Sequence, residues 1–237
     1  MNLYEKYLLP RLINLAMRSK ANTAERAKLI PLASGVVLEV GIGSGLNLPF
    51  YGHTVERLYG VDPSLGLWKL ARRRLASAPF PVELLPASAE RIPMENMAVD
   101  TVVMAWTLCS IPNASQALRE IKRVLKPGGQ LLFVEHGLAP DRAVVAWQNR
   151  LNPFWNRVAG GCHLNRKIDD LITDAGFLLT QIDRGYGRGP KPMAYLYRGL
   201  ARPSHLEQPS GPDGRDPSNG VRDIQAPGHN PHGGGDP

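Results

Sequence analysis

Val36-Val37-Leu38-Glu39-Val40-Gly41-Ile42-Gly43-Ser44-Gly45 reads as a buried, β-branched strand running directly into a glycine turn. At the carboxyl end of a parallel sheet such a turn lets the backbone approach a ligand closely. Spacing narrows the choice of ligand. A dinucleotide-binding turn has the pattern GxGxxG, whereas here the third glycine comes one residue early, at Gly45, and Leu46 stands in its place. Residues 39–48 carry no Lys or Arg but do carry Glu39, an anion that repels a pyrophosphate and attracts an ammonium or sulfonium group. Asp62 closes the next apolar run about 20 residues after the turn, where a carboxylate accepts hydrogen bonds from both hydroxyls of a ribose. Together these features imply a cationic, phosphate-free nucleoside and disfavour a dehydrogenase; a bare glycine turn is the reading without a ligand.

Outward from this turn, apolar runs at Val36–Val40, Leu58–Val61, Val82–Leu85, Val99–Leu108 and Gln130–Glu135 alternate with helix-like stretches. That rhythm implies a parallel sheet with crossover helices. The helices are expected at Ser64–Ala76 with Ser64 as N-cap, at Asn113–Leu125 with Asn113 as N-cap and Pro127-Gly128-Gly129 as stop, and at Arg166–Ala175 before Gly176. Two further runs, Leu178–Asp183 and Met193–Tyr197, lie too close for an intervening helix and are expected to pair as an antiparallel hairpin at the sheet edge. The expected fold is α/β, a Rossmann-like, seven-stranded, mostly parallel sheet with helices on both faces.

The flanks differ from this core of residues 35–203. Residues 1–34 are expected to form a helical cap, with Leu3, Tyr4, Tyr7 and Leu8 on one face before Pro10, and Leu12, Leu15 and Ala16 after it. Such a stripe packs on its own domain, or else docks on a membrane surface. Residues 204–237 hold 13 Gly or Pro among 34 positions and keep no period, so a disordered tail is expected. The net charge of +7 is uneven: the tail has two Arg against five acids, −3, which leaves +10 for the body. The basic residues read as solvated helix faces or as an attraction to anionic lipid or nucleic acid. Two cysteines without a CxxC pair suggest neither a disulfide framework nor a metal site, and fit a reducing, cytoplasmic setting. The apolar stretch Val99–Ile111 falls short of the roughly 20 residues of a membrane span. Glu5, Lys6, Pro10 and Arg11 interrupt the run Leu3–Met17, so no secretory signal is expected.

Leu38 to Gly45, Val61-Asp62-Pro63-Ser64, Ala87-Ser88-Ala89-Glu90-Arg91-Ile92-Pro93 and Val124-Leu125-Lys126-Pro127-Gly128-Gly129 resemble the successive motifs of class I S-adenosylmethionine-dependent methyltransferases, over residues 35–200. The resemblance implies S-adenosylmethionine as cofactor. It places Glu39, Gly41, Gly43, Gly45 and Asn47 around the methionine part, Asp62 and Pro63 at the ribose, Ser88 and Ala89 at the adenine, and Thr107 and Leu108 along the same cofactor. An Asp commonly faces the adenine amino group where Ser88 stands. A narrower set, Thr107 to Ile111, Phe133-Val134-Glu135-His136-Gly137, Trp147-Gln148, Asn152-Pro153, Trp155 and Gly161-Cys162-His163-Leu164-Asn165-Arg166, looks like the thiol S-methyltransferases of the methyltransferase-like group. The animal members begin with a hydrophobic anchoring leader, where this chain has its short cap. This likeness implies a small-molecule acceptor, a thiol first, in a pocket of Cys109, Trp147, Trp155, Cys162, Asn165 and Arg166. It implies no nucleic-acid partner and leaves peripheral membrane contact and oligomeric state open.

Methyl transfer from a sulfonium is an in-line displacement with a good leaving group, so alignment matters more than acid–base machinery. A thiol acceptor must still lose its proton to attack well. His136, at the carboxyl end of the fifth expected strand, is the candidate base, its other reading being a strand-end residue that satisfies backbone groups. Glu135 either orients that imidazole or faces the other side of the sheet. Cys109 reads as an inert small hydrophobe. The same pocket walls suit a quinone ring carbon or a phospholipid amine, and a fold without activity that binds RNA or membrane is the reading from another class.

Overall fold

The structure, a computed structural model, describes residues 4–204; the expected tail after Ser204, and Leu3 of the cap stripe, lie outside the described residues. Seven strands, β1 Gly35–Val40, β2 Val55–Val61, β3 Val82–Leu85, β4 Val99–Ala105, β5 Leu125–His136, β6 Phe177–Tyr186 and β7 Tyr195–Pro203, form one sheet in the order β3-β2-β1-β4-β5-β7-β6. The first five are parallel, and β7 runs antiparallel to both β5 and β6. Helices are α1 Leu9–Met17, α2 Lys20–Leu29, α3 Leu65–Ala76, α4 Ala114–Val124, α5 Arg142–Val158, α6 Ile168–Asp174 and α7 Lys191–Ala194. Both faces of the central strands are covered. Leu38, Val102, Leu131 and Phe133 pack with Leu118 and Ile121 of α4, while Val37, Val103, Leu132 and Val134 pack with Ile30, Leu48 and Leu58. Two-sided burial explains why these strands read as continuous apolar runs rather than alternating ones. Each such Leu or Phe, removed from water, contributes about 1.5–3 kcal/mol.

Several boundaries move, each for a local reason. β4 stops at Ala105 because Trp106 turns to a φ of +56°. Pro127-Gly128-Gly129 does not end a helix before a separate strand. It forms a bulge inside β5, whose pairing with β4 passes from Val99↔Leu125 to Thr101↔Gln130. Ser64 sits at the start of α3 without a side-chain cap bond, whereas Asn113 does cap α4, its Oδ1 accepting from Gln116 N–H at 3.0 Å. The third expected helix begins only at Ile168. Of the closing pair only β6 is an edge strand; β7 lies inside the sheet, and Met193 belongs to the short α7, for which the connection does have room. α5, with Pro153 inside it, was not apparent as a helix in the sequence pattern.

The cap departs most from expectation. Its stripe does not pack on the domain: Tyr7, Leu8, Leu12 and Leu15 are between 46% and 68% exposed. The end of the cap is buried in the core through Leu29, Ile30 and Ala33, and what anchors the rest is polar. Tyr4 Oη donates to the Val158 carbonyl, Asn14 meets Ser44 at 2.8 Å, and Arg198 pairs with Glu25 at 2.7 Å. Arg26, only 4% exposed, donates through Nε to Asn47 Oδ1 at 2.8 Å and through its terminal nitrogen to the Met17 carbonyl, with its guanidinium 4.9 Å from the Trp106 ring.

Asn47 passes this contact inward, donating through Nδ2 to Glu39 Oε1 at 2.8 Å, while Tyr51 Oη donates to Glu39 Oε2 at 2.8 Å. Burial raises the Glu39 carboxyl from 4.5 to about 8, against the opposing bonds from Tyr51 and Asn47 and the nearby charge of Arg26. An unfolded chain releases this proton near 4.5 and the folded chain only near 8, so the folded state binds more protons in between. The contribution of this group to stability therefore falls as pH rises through that window and is level above it. Glu39→Gln is expected to remove this component from urea-unfolding free energies measured across the same range; an unaltered pH slope would assign it to other groups.

Candidate functional site

The carboxyl tips of the parallel strands carry most of the residues singled out in the sequence. After β1, Gly41, Gly43 and Gly45 adopt φ values of +75°, +51° and +71°, where a side chain is strained. At Gly41 a Cβ would also lie 2.3 Å from Thr107 Oγ1, so the tip of β1 fits against the tip of β4 only as glycine. At the end of β2, Asp62 is 7% exposed and accepts from the Gly43 N–H at 2.9 Å and the Ser64 N–H at 2.7 Å. Burial raises its carboxyl, and the two backbone donors work against that rise. Pro63 beside it is exposed. After β3, Ser88 Oγ accepts from the Glu90 N–H and donates to Glu90 Oε2 at 2.9 Å, with Ala89 buried next to it.

Glu39 lies under the glycine turn rather than on its open side, with both oxygens engaged by Asn47 and Tyr51. The turn is also not free of cations. Arg26 reaches it through Asn47, and Arg74 of α3 donates to the Ser44 carbonyl at 2.9 Å. Neither shows in residues 39–48, because one comes from the cap and the other from the helix after Asp62. Burial lowers the Arg26 guanidinium to about 10, with Glu39 opposing.

After β4 a third buried acid organises the backbone. Glu135, fully buried in β5, accepts from the N–H groups of Thr107 at 2.7 Å, Leu108 at 2.9 Å and Cys109 at 3.3 Å. It therefore faces the β4 tip, which resolves the choice the sequence left open. Arg166 holds the same turn from outside, donating to the carbonyls of Leu108, Ile111 and Pro112. The His163 N–H donates to the Cys109 carbonyl at 2.9 Å, drawing the loop after α5 onto the β4 tip.

This closure gathers Cys109, His136 and Cys162. Their two sulfurs and an imidazole nitrogen lie within 4.8 Å of one another. His136 Nε2 and Cys162 Sγ are 3.0 Å apart, and Trp155 Nε1 donates to the same sulfur at 3.2 Å. Burial acts to lower the imidazole, but the Cys162 contact and the Glu135 charge outweigh it and lift His136 to about 8. The Cys162 thiol is raised well above its ordinary value, first by Cys109 and then by burial. His136 Nδ1 and Trp68 Nε1, on the helix following Asp62, are the buried side-chain polar atoms left without a partner among the described residues.

Two expected pocket residues are not part of this group. Trp147 is 56% exposed and lies beneath the Arg150 guanidinium, and Asn165 pairs with Asn149 on the exposed surface. Sequence reasoning missed Arg26, Tyr51 and Gln148. The last, 1% exposed, bonds the Ala139 N–H and the carbonyls of Gly137, Leu164 and Pro192, pinning the segment after β5 to the α5 loop. Its position beside Trp147 in the quoted motif was the one available signal.

A methyltransferase domain family matches residues 38–133. The human thiol S-methyltransferase TMT1B is 30% identical over 170 residues, covering 69% of this chain and 68% of its own length. A phosphatidylethanolamine N-methyltransferase of Cereibacter sphaeroides is 31% identical over 142 residues, covering 59% and 68%. The chain spans 62% and 59% of the length of the first two curated relatives it matches. In fold it is similar to the Haloferax volcanii methyltransferase solved with the Trm112 activator, with a TM-score of 0.64 and 16% identity over 86% of this chain and 99% of that one. With the matched domain, that coverage and the strand-tip geometry in agreement, the chain belongs to the class I S-adenosylmethionine-dependent methyltransferases.

Proposed function

We propose that this protein transfers a methyl group from S-adenosylmethionine to the sulfur of a small, apolar thiol. The observation that carries the acceptor side is the position of His136: at the tip of β5, beside the β4 tip, with Trp155 and two cysteines around it. S-adenosylmethionine supplies an electrophilic methyl on a sulfonium. The chain's own residues bind, align and exclude water, and alignment alone is worth about 7–11 kcal/mol of barrier.

In this reading Gly41, Gly43, Gly45 and Asn47 frame the methionine end, and the buried Glu39 holds Asn47 in place through its Oε1. Asp62 and Pro63 meet the ribose, Ser88 and Ala89 the adenine, and Thr107 and Leu108 run alongside. Asp62 suits that role because its backbone bonds fix the carboxylate while leaving lone pairs for two hydroxyls. The positive φ values at the three glycines give the backbone the close approach such a ligand needs.

Cys162 Sγ lies 3.0 Å from Nε2 of His136, and an arriving acceptor thiol takes its place and gives up its proton there. Loss of charge on both sulfurs as thiolate and sulfonium react is favoured in a dry pocket. Cys109 and Trp155 supply apolar surface, and Arg166 shapes the pocket by holding the β4 tip. Trp147 and Asn165 lie farther out, where they meet an acceptor at its entry. A reducing, cytoplasmic setting keeps both cysteines as thiols. The likeness to a phosphatidylethanolamine N-methyltransferase makes a phospholipid amine the second acceptor, and the exposed Tyr7, Leu8, Leu12 and Leu15 offer a surface for peripheral membrane contact.

Incubation with labelled S-adenosylmethionine and a panel of alkyl and aryl thiols, quinols and phosphatidylethanolamine is expected to label thiols first; labelling of the lipid alone would replace the thiol reading. Asp62→Asn is expected to weaken cofactor binding in calorimetry by about 1.5–3 kcal/mol, roughly ten- to a hundredfold, the worth of one charged hydrogen bond. Equal affinity would place the ribose elsewhere. For His136→Ala, turnover is expected to fall by about 10²–10⁴ while cofactor affinity is kept; parallel loss of both would mark the residue as structural.

A further inference from the structure

We propose that Cys109, His136 and Cys162 form a binding site for a thiophilic d¹⁰ cation of the zinc–cadmium class, with two sulfurs and Nε2 as ligands and a fourth position open. The site goes beyond methyl transfer and does not depend on which acceptor is used.

The donor set is soft, two thiols and an imidazole, which selects zinc and its heavier congeners over magnesium or calcium. Tetrahedral zinc with bonds of about 2.3 Å to sulfur and about 2.0–2.1 Å to nitrogen requires ligand atoms roughly 3.3–3.8 Å apart. The three atoms lie within 4.8 Å of one another, and the Nε2–Sγ separation at Cys162 is 3.0 Å, so shifts of about 1 Å complete the geometry. Two groups beside the sulfurs steady them once the ion has displaced their protons. Trp155 Nε1–H already donates to Cys162 Sγ, and the Arg166 guanidinium is anchored on the carbonyls of Leu108, Ile111 and Pro112, on either side of Cys109. The ligands come from rigid places. Cys109 follows β4 with its N–H held by Glu135, His136 ends β5, and Cys162 is tied to Cys109 through the His163 N–H.

Binding is balanced simply. A divalent ion enters, both thiol protons and any proton carried by Nε2 leave to solvent, and two metal–sulfur bonds and one metal–nitrogen bond form. An ion on Nε2 and an acceptor proton on Nε2 exclude each other, so the filled site blocks the base.

The test uses the full chain, reduced with a phosphine and titrated with cadmium while the ultraviolet thiolate-to-cadmium band and proton release in weak buffer are recorded. The chain has only two cysteines, so any such band reports on Cys109 and Cys162 alone. One equivalent is expected to saturate the band and release about two to three protons, two from the thiols and the remainder from the imidazole. Because outer-sphere changes already cost about 10–100-fold in affinity, Cys109→Ser and Cys162→Ser are each expected to weaken binding by at least about a hundredfold. Absence of the band in the unaltered chain would overturn the site whether or not the variants fold. Unchanged cadmium midpoints in both serine variants, shown to be folded by circular dichroism, would do the same.

Discussion

Backbone N–H groups that emerge where parallel strands end have no neighbour in the sheet and must find an acceptor if they are buried. In this protein, acids at successive tips supply it. Asp62 takes the N–H groups of Gly43 and Ser64, and Glu135 takes those of Thr107, Leu108 and Cys109. Glu39 does the related work with side-chain donors, holding Asn47 and Tyr51 so that the segment after the glycine turn lies flat on β1. The turns after β1, β2 and β4 are thus each fixed to a carboxyl group rooted in the core.

The arrangement has an electrostatic consequence. Burial raises the carboxyls of all three acids, Glu39 to about 8, so the strand tips offer a ligand acceptor oxygens more than net negative charge. The arginines that approach do so from beneath or outside, with Arg26 on Asn47, Arg74 on the Ser44 carbonyl and Arg166 on the carbonyls after β4, all engaged by neutral acceptors. Their charges stabilise the loops and are not presented as a phosphate clamp. This is how the positive charge of the body coexists with a site for a sulfonium compound.

On the acceptor side, the same backbone holding draws Cys109 and Cys162, 53 positions apart in the chain, onto His136. A base for a thiol and a seat for a soft cation need the same three atoms, because sulfur and imidazole serve both proton and metal chemistry. Loop closure by the His163 N–H on the Cys109 carbonyl is what makes them neighbours.

The strand-to-turn run at residues 36–45, the acid at 62 and the αβ rhythm were legible in the sequence because they rest on local rules: β-branched runs for buried strands, glycine for positive φ, a carboxylate at the end of the second strand. Where local rules compete, the sequence misled. Pro127-Gly128-Gly129 has the chemistry of a helix stop and forms a bulge, and the cap stripe has an amphipathic pattern whose apolar residues remain exposed while polar contacts from Tyr4, Asn14 and Arg26 anchor it. The direction of Glu135, the roles of Arg26 and Gln148 and the meeting of Cys109, His136 and Cys162 were not legible at all, since each depends on partners 21 to 53 positions away in the chain. The sequence by itself determined the sheet, its glycine turn and the acid at the end of its second strand, all set by neighbouring residues. Only tertiary packing decided which buried donors meet which acids, and so what lies beside the imidazole.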